Sequence, residues 1–225
     1  MKMEVARASR VLSAVVALGL ATALPVGADE VGGSGVAVAD LVRGEALFSL
    51  CAHCHGSEGL GNPDVEAPAI AGLPGWYVQA TLLKFRAGGR GRHPEDFAGM
   101  RMRPMSLSLR SEDDVSHVAA YVSSLSPTKP APLLQGGDAT RGAALYAVCI
   151  ACHMPDGSGN PALGAPPLRH ASDWYLLAQL KKFKGGIRGT SPLDPTGALM
   201  VGMSQTLADE QAMKDVIAHI MTLAD

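Results

Sequence analysis

The chain has 225 residues, enough for one large domain or two small ones. Hydrophobic residues make up 47%, charged residues 18% and aromatics 4%, a globular rather than disordered composition. The formal charge of −2 excludes a nucleic-acid binder that works through bulk positive charge, and four cysteines are too few for a disulfide-dense scaffold.

Lys2, Arg7 and Arg10 precede an apolar run from Val11 to Leu24 that Pro25 and Gly27 interrupt. Such a charged start with a short apolar core predicts a secretory signal over residues 1–28, with Val26-Gly27-Ala28 as cleavage site and Ala37-Val38-Ala39 as a second. The run falls short of the ~20 residues of a spanning helix. The expectation is therefore a periplasmic protein without a transmembrane span after cleavage, with a signal anchor as the alternative. Loss of residues 1–28 leaves 16 basic against 20 acidic residues, a charge of −4. Residues 29–39, with Gly32-Gly33-Ser34-Gly35, read as a flexible leader.

Beyond the leader, the chain repeats itself at an offset of 98. Asp40, Arg43, Gly44, Leu47 and Phe48 correspond to Asp138, Arg141, Gly142, Leu145 and Tyr146. Trp76-Tyr77, Phe85, Arg90-Gly91 and Asp96 correspond to Trp174-Tyr175, Phe183, Arg188-Gly189 and Asp194. The repeat predicts two domains, residues 40–126 and 136–225, joined by a stiff Pro-rich linker at 127–135.

Each unit reads as helical, with no alternating strand pattern. A first helix is expected from Asp40 or Asp138, acting as N-cap, toward the first cysteine. A second covers Trp76–Arg86, or Trp174–Lys184, and Gly88-Gly89 ends the former. A Gly-containing loop should follow. The last helix opens at Ser111-Glu112-Asp113-Asp114, with Val115, Val118, Ala119 and Val122 inward; its counterpart runs from Asp209 through Met213, Val216, Ile217 and Ile220.

The chemistry sits in Cys51-Ala52-His53-Cys54-His55 and Cys149-Ile150-Ala151-Cys152-His153, both Cys-x-x-Cys-His, the attachment signature of a c-type haem. Two thiols one helical turn apart can each form a thioether to one porphyrin edge, and the next His reaches the iron. A zinc ribbon would place its cysteine pairs about 15–20 residues apart, and a thioredoxin-like site would need a preceding strand. A sixth ligand should come from the other part of each unit. A methionine thioether suits haem iron, and the repeat narrows the choice to Met102/Met200 or Met105/Met203. His93, His117, His170 and His219 lack a repeat partner and read as surface or packing residues, as does His53 inside its motif. Arg86, Arg90, Arg92, Arg101 and Arg103, and likewise Lys181, Lys182, Lys184 and Arg188, form basic clusters suited to solvated faces, haem propionates or an acidic partner.

Over residues 40–225 the sequence resembles the class I c-type cytochromes, particularly the two-haem cytochrome c4-like proteins. The resemblance implies an all-α fold of two tandem domains, each around one covalent haem, in tight contact. It implies an axial Met seven positions before the Leu that precedes the last helix. Met102 before Leu109 and Met200 before Leu207 fit that spacing. Pro68 and Pro166 match the family proline whose carbonyl accepts the proximal imidazole N–H. The resemblance further implies a single-electron carrier between redox proteins, such as a respiratory complex or terminal oxidase. The cytochrome subunit of a periplasmic dehydrogenase is the alternative, and a dihaem peroxidase a weaker one. Eight of the ten aromatic rings fall in four repeat-related pairs, Phe48/Tyr146, Trp76/Trp174, Tyr77/Tyr175 and Phe85/Phe183, so the haem is expected to complete a core that is largely unfolded without it.

Overall fold

The first helix begins at Val38, two residues inside the stretch expected to be leader, and Asp40 falls in its first turn rather than at its cap. The computed structural model describes residues 38–223. The expected export segment and cleavage sites lie outside them, apart from Val38 and Ala39 of the second expected site. Among the described residues nine α-helices follow in order: α1 (Val38–His55), α2 (Gly75–Ala87), α3 (Phe97–Leu107), α4 (Glu112–Ser124), α5 (Ala139–Tyr146), α6 (Ile150–His153), α7 (Asp173–Lys184), α8 (Pro195–Ser204) and α9 (Glu210–Ile220). Among the described residues the only β pairing is two isolated bridges, Asn62–Ala67 and Asn160–Ala165. The fold is all-α, in two tandem units.

In the first unit α1 crosses α4, and in the second α5 crosses α9. Each crossing depends on a glycine at equivalent positions. A Cβ at Gly44 would stand 2.2 Å from the His117 carbonyl oxygen, and one at Gly142 would stand 1.9 Å from that of Asp215. Phe48, Leu82, Leu109, Val115, Val118 and Val122 form the first core. Tyr146, Leu176, Leu177, Leu207, Met213, Val216, Ile217 and Ile220 form the second. The last helices carry the expected inward faces and the expected caps, with Ser111 Oγ accepting from Asp114 N and Asp209 Oδ1 from Ala212 N.

Two features depart from the sequence reading. The loop expected before each last helix is a helix, α3 or α8, started by Asp96 or Asp194 as N-cap. The first helix of the second unit is interrupted at residues 147–149, whereas α1 runs through. There the hydrogen bonds tighten to three residues, as in Cys149 N to Tyr146 O at 2.8 Å. The β-branched Val148 stands where α1 has Leu50, which lowers the local helix preference.

The segment 127–135 has no helix, and buried Asp173 fastens its far end. Asp173 Oδ2 accepts from both Leu133 N and Leu134 N at 2.7 Å.

Candidate haem sites

Cys51, Cys54 and His55 occupy the last turn of α1, and Cys149, Cys152 and His153 the equivalent end of α5–α6. None of the four cysteines is in a disulfide. Both histidines are buried, and each Nδ1 faces a proline carbonyl at 2.8 Å, His55 that of Pro68 and His153 that of Pro166. A carbonyl only accepts, so Nδ1 must carry the proton and Nε2 is left with its lone pair. Burial pushes both imidazoles below their ordinary range, outweighing the opposite pull of the proline carbonyl, and so favours the neutral ligand form.

The proline carbonyls are held by sharp turns. Gly61 and Gly159 adopt φ of +84° and +80°, and a Cβ there would stand 2.7 and 2.6 Å from the carbonyl carbons of Pro68 and Pro166. Only glycine brings the backbone this close in that conformation.

An apolar cavity of about 500 Å³ opens in front of the histidines, and residues of both units line it. Trp76, Tyr77 and Tyr175 are among its walls. Met102, Met105, Met200 and Met203 all reach it from α3 and α8. Met102 packs against the first core, whereas Met105 is exposed.

Arg90 and Arg188 also line the cavity. Each guanidinium lies 4.4 Å from the centre of its own unit's phenyl ring, Phe85 or Phe183. Arg90 Nε and a terminal nitrogen, and Arg188 Nε, are buried with no protein acceptor. Burial, and then the like charge of Arg90, hold the Arg188 guanidinium below its ordinary range. Neighbouring buried cations with spare donors call for anionic oxygens in the cavity. A flat apolar macrocycle bearing carboxylates meets this demand, and the thiol, imidazole and thioether donors meet that of its iron. The residues present fit a haem.

The basic clusters are therefore not chiefly a solvated face. Arg86 donates to the Leu109 carbonyl and Lys184 to that of Leu207, each fastening a second helix to the segment before a last one. Lys182 bonds to Asp96 across the units at 2.6 Å, and Lys84 bonds to Asp194 in the same way. Sequence reasoning passed over Lys84, whose only signal was a lysine at the equivalent position 182. Of the histidines that the repeat does not duplicate, His117 lies 3.2 Å from Asp40 and His219 packs on Tyr146.

Two helical units, each with such a site, define a c-type haem protein. The chain belongs to the cytochrome c family, whose pattern matches residues 41–126 and 139–224. It is 35% identical to a thiosulfate dehydrogenase electron acceptor of Thiomonas intermedia (strain K12), over 72% of this chain and 76% of that one. It is 30% identical to cytochrome c4 of Azotobacter vinelandii, over 68% and 76%. The crystal structure of reduced recombinant cytochrome c4 from Pseudomonas stutzeri superposes with a TM-score of 0.65 at 26% identity, covering 82% of this chain and 98% of that one. The chain is a cytochrome c4-like electron carrier with two covalently bound haem c groups, and its partners are redox proteins.

Proposed function

We propose that the protein works in the periplasm, taking single electrons from a dehydrogenase and passing them toward a respiratory complex such as a terminal oxidase. In this reading Cys51 and Cys54 would carry the first haem by thioether bonds, with His55 and Met102 holding its iron. Cys149 and Cys152 carry the second, with His153 and Met200. The haem supplies one-electron ferric/ferrous chemistry. The protein's part is to orient the imidazoles through Pro68 and Pro166, exclude water with the apolar walls, and balance anionic charge with Arg90 and Arg188. The observation that carries the reading is two equivalent histidines, each with Nδ1 tied to a proline carbonyl, opening on one apolar cavity that methionine-bearing helices close. Met102 is favoured over Met105 by its packing against the core, and Met200 follows by the repeat. A carrier rather than an enzyme is favoured because iron held by His55 with Met102, or by His153 with Met200, would have no position left for substrate. Among the described residues, no helix is long and apolar enough to cross a membrane.

The relative named as a thiosulfate dehydrogenase electron acceptor favours a periplasmic dehydrogenase as donor, whether the chain meets it transiently or as a subunit. The test is a visible spectrum of the protein exported and matured in a haem-loading host. Two low-spin haems with methionine–iron charge-transfer absorption in the far red are expected. Met102→Ala and Met200→Ala should each remove one such signal; persistence of both would move the ligands to Met105 and Met203. A high-spin iron that turns over peroxide would overturn the carrier reading.

A further inference from the structure

Asp96 and Asp194 start the two methionine-bearing helices. Asp96 Oδ1 accepts from Gly99 N at 3.1 Å, and Asp194 Oδ1 from Gly197 N at 3.0 Å. The carboxylates fit so closely under the first turn that a Cβ at Gly99 or Gly197 would stand 2.1 or 2.2 Å from their second oxygen. Both aspartates are buried, at 5% and 0% exposure. A carboxylate taken out of water needs a counter-charge.

The counter-charge comes from the opposite unit. Lys84, on α2 of the first unit, places Nζ 2.6 Å from Asp194 Oδ1 and also donates to Thr196 Oγ1 at 2.5 Å, in the first turn of α8. Lys182, on α7 of the second unit, places Nζ 2.6 Å from Asp96 Oδ1, at the start of α3. Each ammonium is itself mostly buried, so the pairs are little screened.

We infer that Lys84 and Lys182 are positioning residues acting crosswise: each seats the methionine-bearing helix of the other unit, and through it that unit's methionine–iron bond. The inference rests on the reading that α3 and α8 supply the axial methionines. A helix of ten or eleven residues moves as a rod, so a shift at its capped end is carried to the methionine one to two turns on. Loosening the cap therefore weakens a bond in the haem site opposite to the lysine.

The test uses the full haem-loaded protein. The two methionine methyl resonances of the reduced state are assigned by Met102→Ala and Met200→Ala, and imidazole displaces methionine from ferric iron as a measure of bond strength. Lys84→Met should move the resonance assigned to Met200 and raise imidazole binding at that site roughly five- to tenfold, the scale of one lost cap. The Met102 resonance should stay in place. Lys182→Met should give the mirror result, and Lys84→Arg should retain most of the parental behaviour. If Lys84→Met does not accumulate, Lys84→Met/Asp194→Asn removes the buried charge with its partner and is read in the same crosswise way. An effect confined to the lysine's own unit, an equal effect on both, or no effect on either would overturn the inference. Failure of the methionine assignment would show earlier, in the Met→Ala spectra before any lysine is changed.

Discussion

Replacing Gly44 by alanine sets two effects against each other, and the structure decides which wins. Inside a helix, alanine is favoured over glycine by about 1 kcal/mol. The Gly44 Cβ, however, would stand 2.2 Å from the His117 carbonyl oxygen and 2.7 Å from Tyr121 Cβ. Carbon–oxygen contacts settle at about 3.3–3.6 Å, so α1 and α4 must part by about 1 Å. The nearest obstacle is backbone, which cannot rotate aside. A gap of that size forfeits up to half of the dispersion well along the seam, where Phe48, Val118 and Val122 are buried. Overpacking costs ~1–3 kcal/mol and occasionally more, and a clash with backbone belongs at the upper end. After the propensity gain, Gly44→Ala should destabilise by about 2 kcal/mol. For a chain of this size, that is a fall in Tm of roughly 4–8 °C. Thermal unfolding of the haem-loaded protein, followed by far-ultraviolet circular dichroism, measures it. Gly202→Ala is the control: nothing lies within 4 Å of its Cβ inside α8, so it should stabilise by up to about 1 kcal/mol. If Gly44→Ala melts at or above the parent while the control behaves, the close helix crossing is wrong.

Two further predictions concern acid stability and the proximal histidines. Arg43 beside Asp114 and Arg141 beside Asp215 hold those carboxyls below the ordinary carboxylate range. A folded-state pKa below the unfolded one contributes stability above about pH 4 and loses it as pH falls through the folded values. Arg141→Gln should therefore be less stable than the parent at neutral pH and converge with it in acid melts; a gap that stays constant with pH would refute this. At the proximal side, Gly61→Ala must displace Ala69 N, 2.5 Å from the new Cβ, together with the Pro68 carbonyl. Strain at positive φ and the overpacking together should cost about 3 kcal/mol. An imidazole that donates less is a less basic ligand and favours ferric iron less, so the first haem's midpoint potential should rise. An unchanged potential in redox titration would separate the Pro68 contact from the iron.

What could be read from the sequence followed from where each signal is stored. The helices α1, α2, α4, α7 and α9 bury one face against a neighbour, and that face leaves an apolar period in the residues. The α3 segment, by contrast, buries only Gly99 and Ser106 and contains Pro104, and its inner side, with Met102 and Met105, lines the cavity. Its period is therefore silent, and Asp96 as N-cap was the one local sign. Cys51, Cys54 and His55 are adjacent in sequence and visible at once, and Pro68 came into view through family resemblance. The lysine–aspartate pairs were hidden for a different reason. The repeat aligns equivalent positions, whereas these contacts join non-equivalent ones across the seam.

Because the offset is 98, the Lys84–Asp194 and Lys182–Asp96 pairs are one contact with the units exchanged. That is the rule of an isologous dimer interface, in which residue i meets j and j meets i. The seam thus has the form of a homodimer interface made permanent by residues 127–135. Fusion changes what a substitution does there: in a true homodimer one mutation strikes twice, while here it strikes once and leaves the twin contact intact. The two copies are free to drift apart, and elsewhere they have done so. Arg43 and Arg141 are equivalent, yet Arg43 pairs with Asp114, whose counterpart is Ala212, and Arg141 pairs with Asp215, whose counterpart is His117.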